Sequence, residues 1–459
     1  MKKILAITSI LALGLHSHAR EFSREFDYGD TTLSDLWYNI GTGWSSDGSY
    51  QLWDYNGQAP ASDDNFYYKA NGINLFSNSA DLAGGTVHAG SMAFHCNWGA
   101  SFNSDSGDVN LDIAKNLDIT IDQWNLYFAF GDNNNARGFK SIRVGGDINI
   151  NATGIYFQTT FMNRYAYGLD DPGMVVGGAV NFTRESGKWL IPMGNDDTDP
   201  GVDYVNGWVQ VGGLNGTNLI LATSDRGALS FNLVFKSDGS KAFAGGTWTG
   251  AFANRKNAGA AASITMDAGE SGGLQTVRLQ DSLIAGEWNA MTSQTLDMVS
   301  GRLSLGTDTL TKFTRINVKG GTLYIDDIMS TFATDVLNLS GGELVFDVWS
   351  GGGEYIIVDA ITGSGTAILI DLDAGAFSIG DSVDGCSYGI FQGVREADWD
   401  AIGRHVKFML GDEEVSVNYT LTDGVLALSG EIAAVPEPAA VATVFCAFAL
   451  AFAAWRKRK

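Results

Sequence analysis

The sequence predicts a mainly β fold, a parallel β-helix or solenoid, and three observations lead there. First, paired glycines recur and open runs in which apolar and polar residues alternate. Gly145-Gly146 leads to Ile148 and Ile150, Gly177-Gly178 to Val180 and Phe182, Gly320-Gly321 to Leu323 and Ile325, and Gly341-Gly342 to Leu344, Phe346 and Val348. Period two with one apolar face is the pattern of a strand. Further pairs begin at Gly84, Gly212, Gly245 and Gly272, and four successive intervals from Gly145 are 32, 35, 33 and 27 residues. Units of this size cannot bury an apolar face alone, so they must stack. Second, only 6 of 459 residues are Pro while 58 are Gly, which suits long hydrogen-bonded ladders joined by tight corners. Third, 45% of the chain is hydrophobic and 18% charged, ample material for a core. Tandem antiparallel β-sandwiches, whose hairpins also use glycine, are the alternative.

In chain order, Lys2 and Lys3 precede an apolar run from Ile4 to Leu15, and Ser17-His18-Ala19 supplies small residues where a signal peptidase reads them. Residues 1–19 are therefore expected to be a signal peptide, and the body to be exported. Residues 20–105 read as an aromatic-rich β region that caps the stack, because aromatics bury large areas. Indole faces also stack on sugar rings, which makes Trp37, Trp44, Trp53 and Trp98 candidate carbohydrate contacts. Residues 106–378 read as the solenoid body. Beyond Gly353 the pairs stop and charge rises from Arg395 through Glu414 before an apolar strand near Val425, so 379–428 reads as a terminal cap. Residues 429–438 read as a tether ending in Val435-Pro436-Glu437-Pro438.

From Ala439 to Trp455 there are seventeen residues without a charge. As a transmembrane helix they would extend about 26 Å, just enough for a hydrocarbon core of about 30 Å. Arg456, Lys457, Arg458 and Lys459 resist crossing lipid and mark the cytoplasmic side, so everything before Pro436 is expected outside. Val-Pro-Glu-Pro, an apolar helix and a terminal basic cluster, in that order, resemble the PEP-CTERM sorting signal of Gram-negative bacteria with exopolysaccharide-rich envelopes. The resemblance implies that Pro436, Glu437 and Pro438 are the element recognised by an exosortase, 439–455 the transient span, and 456–459 the retention flank. It implies anchoring in the inner membrane with the body outside the cytoplasm, then passage to the cell surface or extracellular matrix after processing. Signal peptidase, the exosortase-type enzyme and exopolysaccharide are the implied partners. Within the body, Gly-Gly-Thr-Leu at Gly320 and Gly-Gly-Glu-Leu at Gly341 resemble the loosely repeated β-solenoid passengers of autotransporter-type surface proteins, between about Thr249 and Asp373.

Charge and motifs narrow the chemistry. Setting aside Lys2, Lys3 and the four terminal cations leaves 23 basic against 52 acidic residues, a balance that excludes nucleic acid as a partner and favours divalent cations as counterions. Cys96, Cys386 and the tail's Cys446 offer no disulfide framework. His88, His95 and Cys96 are metal-ligating types, but their spacing matches no zinc pattern. Asn195, Asp197 and Asp199 alternate oxygen ligands as a calcium loop does, although Pro200 stands where such a loop needs Gly and Asn206 where it needs Glu. That segment is the weak Ca²⁺ candidate; no other cofactor is expected. Asp170-Asp171, Asp326-Asp327 and Glu413-Glu414 are adjacent pairs, which on a strand point to opposite faces and cannot flank one glycosidic bond. No phosphate loop is present, and no catalytic residue is assigned. The expected function is a structural or adhesive component of the surface or exopolysaccharide matrix. A polysaccharide lyase or hydrolase, or a non-catalytic carbohydrate-binding protein, is the alternative.

Overall fold

A computed structural model describes residues 21–26, segments between 63 and 192, and 207–435 with short gaps. The described chain is mainly β and forms one sheet of 24 strands and one of 12. In the smaller, or first, sheet, which runs from Thr86–Ala89 to Phe391–Gln392, neighbouring strands pair in parallel throughout. Between consecutive visits to it the chain crosses to the larger, second sheet. Ser141–Val144 lies in the first and Ile148–Ala152 in the second, then Met174–Val176 in the first and Val180–Thr183 in the second. Each visit stacks on the last in register: Ile148 lies beside Leu117, and Val180 beside Ile148. These pairings are parallel, so antiparallel sandwiches do not describe them. Antiparallel pairing among the described strands is confined to the two-residue strands Asn289–Ala290 and Gly352–Gly353 and the C-terminal end.

Alternation along each strand sends every second side chain inward, and stacking turns those positions into columns. On the first sheet Leu111, Ile142, Met174, Val209, Leu233, Ile264, Leu296, Ile316, Leu337 and Ile361 follow one another in register, all buried. Each such side chain contributes about 1.5–3 kcal/mol by leaving water. A buried aromatic group interrupts the aliphatic columns. Trp248 is fully buried, packs edge-on against Phe252 at 5.2 Å, and donates its indole N–H to the Leu219 carbonyl at 3.0 Å.

The coils come in two sizes. Toward the N-terminus a third set of parallel strands, Leu126–Ala129, Phe157–Thr160 and Trp189–Pro192, adds another side to each coil. That set runs on through the ends of Leu214–Thr223 and Gly246–Asn254, and Asn289–Ala290 closes it in antiparallel fashion. Side chains hydrogen-bonded across neighbouring coils are 31, 32 and 34 residues apart in the wide coils and 20, 21 and 24 apart in the narrow ones. Where wide gives way to narrow, Gln275 is fully buried. Its amide accepts from Leu214 N and donates to Leu214 O, both at 3.0 Å, reaching past the side-chain-less Gly246.

Glycine at the corners answers two needs. A Cβ on Gly145 would lie 2.6 Å from the Ala114 carbonyl oxygen of the coil below, so in the wide coils no side chain fits. In the narrow coils Gly321 has φ +70° as well, a conformation that only glycine adopts without strain. The corner between the strands Ser293–Ser300 and Arg302–Thr307 is Ser300-Gly301 instead of a glycine pair, which is why the sequence interval from Gly272 to Gly320 looks too long.

The structure refines the expected boundaries. Within the aromatic N-terminal region, expected as a β region capping the stack, the described strands Glu21–Phe26, Asn65–Asn71 and Ser91–Trp98 pair in parallel as part of the same stack. The C-terminal cap, expected over 379–428, extends to Ala434. It contains a short helix, Trp399–Gly403, N-capped by Asp398, and a hairpin of Glu413–Thr422 with Val425–Ala434. Asp423 and Gly424, at φ 51° and 78°, make the two-residue turn. The tether expected over 429–438 therefore loses its first six residues, because Ser429–Ala434 is the end of a paired strand and not free chain. The signal peptide at 1–19 and the span at 439–455 lie outside the described residues, among which no helix is long and apolar enough to cross a membrane.

Candidate functional site

Most residues singled out in the sequence lie where the structure does not describe them. Trp37, Trp44, Trp53, Asn195, Asp197, Asp199, Pro436, Glu437, Pro438 and the Arg456–Lys459 cluster are all outside the described residues, and of Trp98 only the strand position is described. Val435 is exposed at the exit from the cap. His88 and His95 are kept apart by the fold. His88 is on the first sheet, its Nδ1 3.2 Å from Asp112, and His95 is on the second, its Nδ1 3.3 Å from the Tyr67 hydroxyl. Among the described residues no group of three or more His, Cys, Asp or Glu side chains is arranged to hold a metal ion.

Parallel stacking instead brings together residues that sequence reasoning passed over. Asn149 Nδ2 donates to Asp118 Oδ1 at 2.7 Å, Asn181 Nδ2 to Asn149 Oδ1 at 2.8 Å, and Asn215 Nδ2 to Asn181 Oδ1 at 2.8 Å, while Asn215 Oδ1 accepts from the Thr247 amide. Strands such as Leu117–Ile121 alternate buried and half-buried positions, so this rail runs along the outer face of the second sheet. A signal was present: Asn149 and Asn181 each stand four residues after the first glycine of a pair, and Asn215 three. The narrow coils carry a second rail on the first sheet, Asp297, Asn317, Asn338 and Thr362, with Lys319 paired to Asp297 at 2.8 Å.

Several cations of the body are tied to carboxylates on neighbouring coils. Arg143 pairs with Asp238, Lys236 with Asp267, and Lys312 with both Asp335 and Asp359. Arg278 Nε lies 2.9 Å from Asp326, which places one member of the Asp326-Asp327 pair in a structural bridge. Glu413 and Glu414 are exposed in the terminal hairpin.

One buried polar cluster sits where the wide coils meet the narrow ones, at the turn Asp281–Leu283, whose Leu283 packs against Ile220 and Ala253 of the third strand set. Burial pushes the Asp281 carboxyl up to about 6; neighbouring Asp308 adds to the rise, while Thr311 and Gln294 oppose it. Its Oδ1 and both polar atoms of the buried Gln294 side chain complete no hydrogen bond. Asp308 behaves oppositely. Partial burial would raise it, but N–H bonds from Ser282, Leu310 and Thr311 outweigh that and hold it below the ordinary carboxylate range.

The fold and the rails define a class: a mainly β protein of stacked parallel strands, with neutral and charged polar rails on its outer faces. No protein-family model, no curated protein and no solved structure matches the chain.

Proposed function

We propose that this chain is an exported β-solenoid of the cell envelope, a structural or adhesive component of the surface or exopolysaccharide matrix, delivered by its PEP-CTERM-like tail. The observation that carries the reading is the pairing of that tail with a repetitive body. Residues 435–459 supply Val-Pro-Glu-Pro, an uncharged span and four terminal cations, and the body repeats one coil on the next with aliphatic columns inside. Repetition suits an extended scaffold, which works by presenting surface and needs no single active centre. The paired strand that runs to Ala434 supports the same reading from another side: the sorting motif begins two residues later, at Pro436, so the folded cap would stay close to the membrane during processing.

Mass spectrometry of the protein recovered from cell envelopes and medium tests this. The expected result is a mature N-terminus near Arg20 and loss of the residues beyond Pro438. An acidic body found in the cytosol, or delivery unchanged after deletion of 436–459, would overturn it.

A further inference from the structure

We propose that the outer face of the second sheet over the wide coils binds a neutral, extended polysaccharide laid along the stack; this rests on the matrix reading above and names its partner. Two columns of outward positions run side by side there in register. One is Tyr67, Ala93, Asp118, Asn149, Asn181 and Asn215. The other is His95, Thr120, Asn151 and Thr183. Strands neighbour one another at about 4.8 Å, so the longer column spans about 24 Å, and the columns, two residues apart along each strand, are separated by about 7 Å.

The chemistry of the rail fits hydroxyl-rich guests. A carboxamide carries two N–H donors and two acceptor lone pairs. Asn149 and Asn181 each spend one donor and one lone pair on the rail, which leaves a second donor beside a second acceptor at each of these coils. Sugar hydroxyls both donate and accept, and an extended β-linked chain advances by a distance comparable to one strand spacing per sugar. The rail also holds the amides in one rotamer before any ligand arrives, which lowers the entropy lost on binding. Asn151 and Thr183 add exposed polar groups alongside. At the N-terminal end Tyr67 is 42% exposed and its hydroxyl is oriented by His95, an aromatic plate on which the CH face of a pyranose can stack.

Charge selects the kind of glycan. The chain as a whole carries −23, which repels a polyanion, yet the longer column contains one acid, Asp118, whose Oδ1 is already engaged by Asn149. Farther along the same sheet, outward positions become Arg302, Tyr324, Glu343, Asp347 and Asp371, so the charge-poor surface ends where the narrow coils begin.

The test is sedimentation of the full-length protein, kept in detergent, with cellulose and chitin as neutral extended glycans and alginate as an anionic one. Binding to at least one neutral glycan is expected, undiminished in high salt. Tyr67→Ala, Asn151→Ala and Thr183→Ala combined should weaken it about tenfold or more, a change of about 1.4 kcal/mol, with the thermal midpoint unchanged because these are outward positions. Arg302→Ala with Glu343→Ala, on the charged part of the sheet, should leave binding intact. Absence of binding to both neutral glycans, a preference for alginate, or a triple variant that binds like the parent overturns the inference. A protein found at the cell surface that binds neither neutral glycan removes this inference alone; one that binds yet is retained in the cytosol removes the localisation reading alone.

Discussion

The wide and narrow coils are built from the same inward columns and the same kind of corner, yet their outer surfaces differ. Wide coils carry a third set of strands and an amide rail in which Asp118 is the one acid. Among the described residues the narrow coils lack that set, and their rail starts from a charged Asp297–Lys319 pair. The comparison teaches that coil length and surface chemistry are separable from the core. Inward positions must be apolar whatever the circumference, whereas outward ones are free to carry function. It also explains the glycine intervals. Spacings near 33 residues mark coils with the extra side, and the 21 residues between Gly320 and Gly341 mark coils without it.

The largest effect that would break the comparison is expected at the junction. Trp248→Ala empties the largest fully buried side chain and removes the indole bond to Leu219, a loss of about 3–5 kcal/mol. Urea unfolding should show it, and amide exchange should rise in both blocks. Exchange that rises in the wide block alone would mean the two sizes of coil fold as separate units.

A second expectation sharpens the contrast through pH. Asp281 sits where the wide block meets the narrow one, and its pKa is about 6 folded against 3.8 for a free aspartate. The folded state therefore binds the extra proton between those values. Its stabilising contribution is full below pH 3.8 and is lost as pH rises through about 6. With about 1.4 kcal/mol for each unit, Asp281→Asn should raise stability at pH 8 by up to about 3 kcal/mol. It should also flatten the slope between pH 4 and 6 by about as much, and the gain should be localised by amide exchange to the junction around Asp281–Leu283. A parallel slope in parent and variant would show that Asp281 does not carry the dependence.

The smallest effect compares the rails directly. Asn181→Ala and Asn317→Ala each remove a central amide, and about 1 kcal/mol of net hydrogen bonding is expected from each. Added salt should reduce the loss only for Asn317, whose partner Asp297 is charged and ion-paired. Equal salt responses would erase the distinction between a neutral and a charged rail.

Much of the fold was legible because its rules are local. Leu323 and Ile325, or Leu344, Phe346 and Val348, announce an inward face by alternation alone, and glycine pairs announce corners because a Cβ has no room beside the coil below. The corner at Ser300-Gly301 escaped because a single glycine at φ +89° suffices there. Of the metal-ligating types, His88 and His95 are close in sequence but separated by a corner, and so belong to different sheets. The rail was half visible, as asparagines recurring just after glycine pairs, but nothing local says that they meet.

By itself, then, the sequence determined which residues face inward, where the chain must turn, and the acidic, cation-poor character of the body, since each follows from the chemistry of one residue and its immediate neighbours. Only the tertiary structure decided which strands lie side by side, how many sides a coil has, that Gln275 completes the bonding of Leu214 61 positions away, and that Asn149, Asn181 and Asn215 align as one rail. Those outcomes depend on register between segments 20 to 34 residues apart, and register is set by the packing of whole columns, which no short stretch of chain contains.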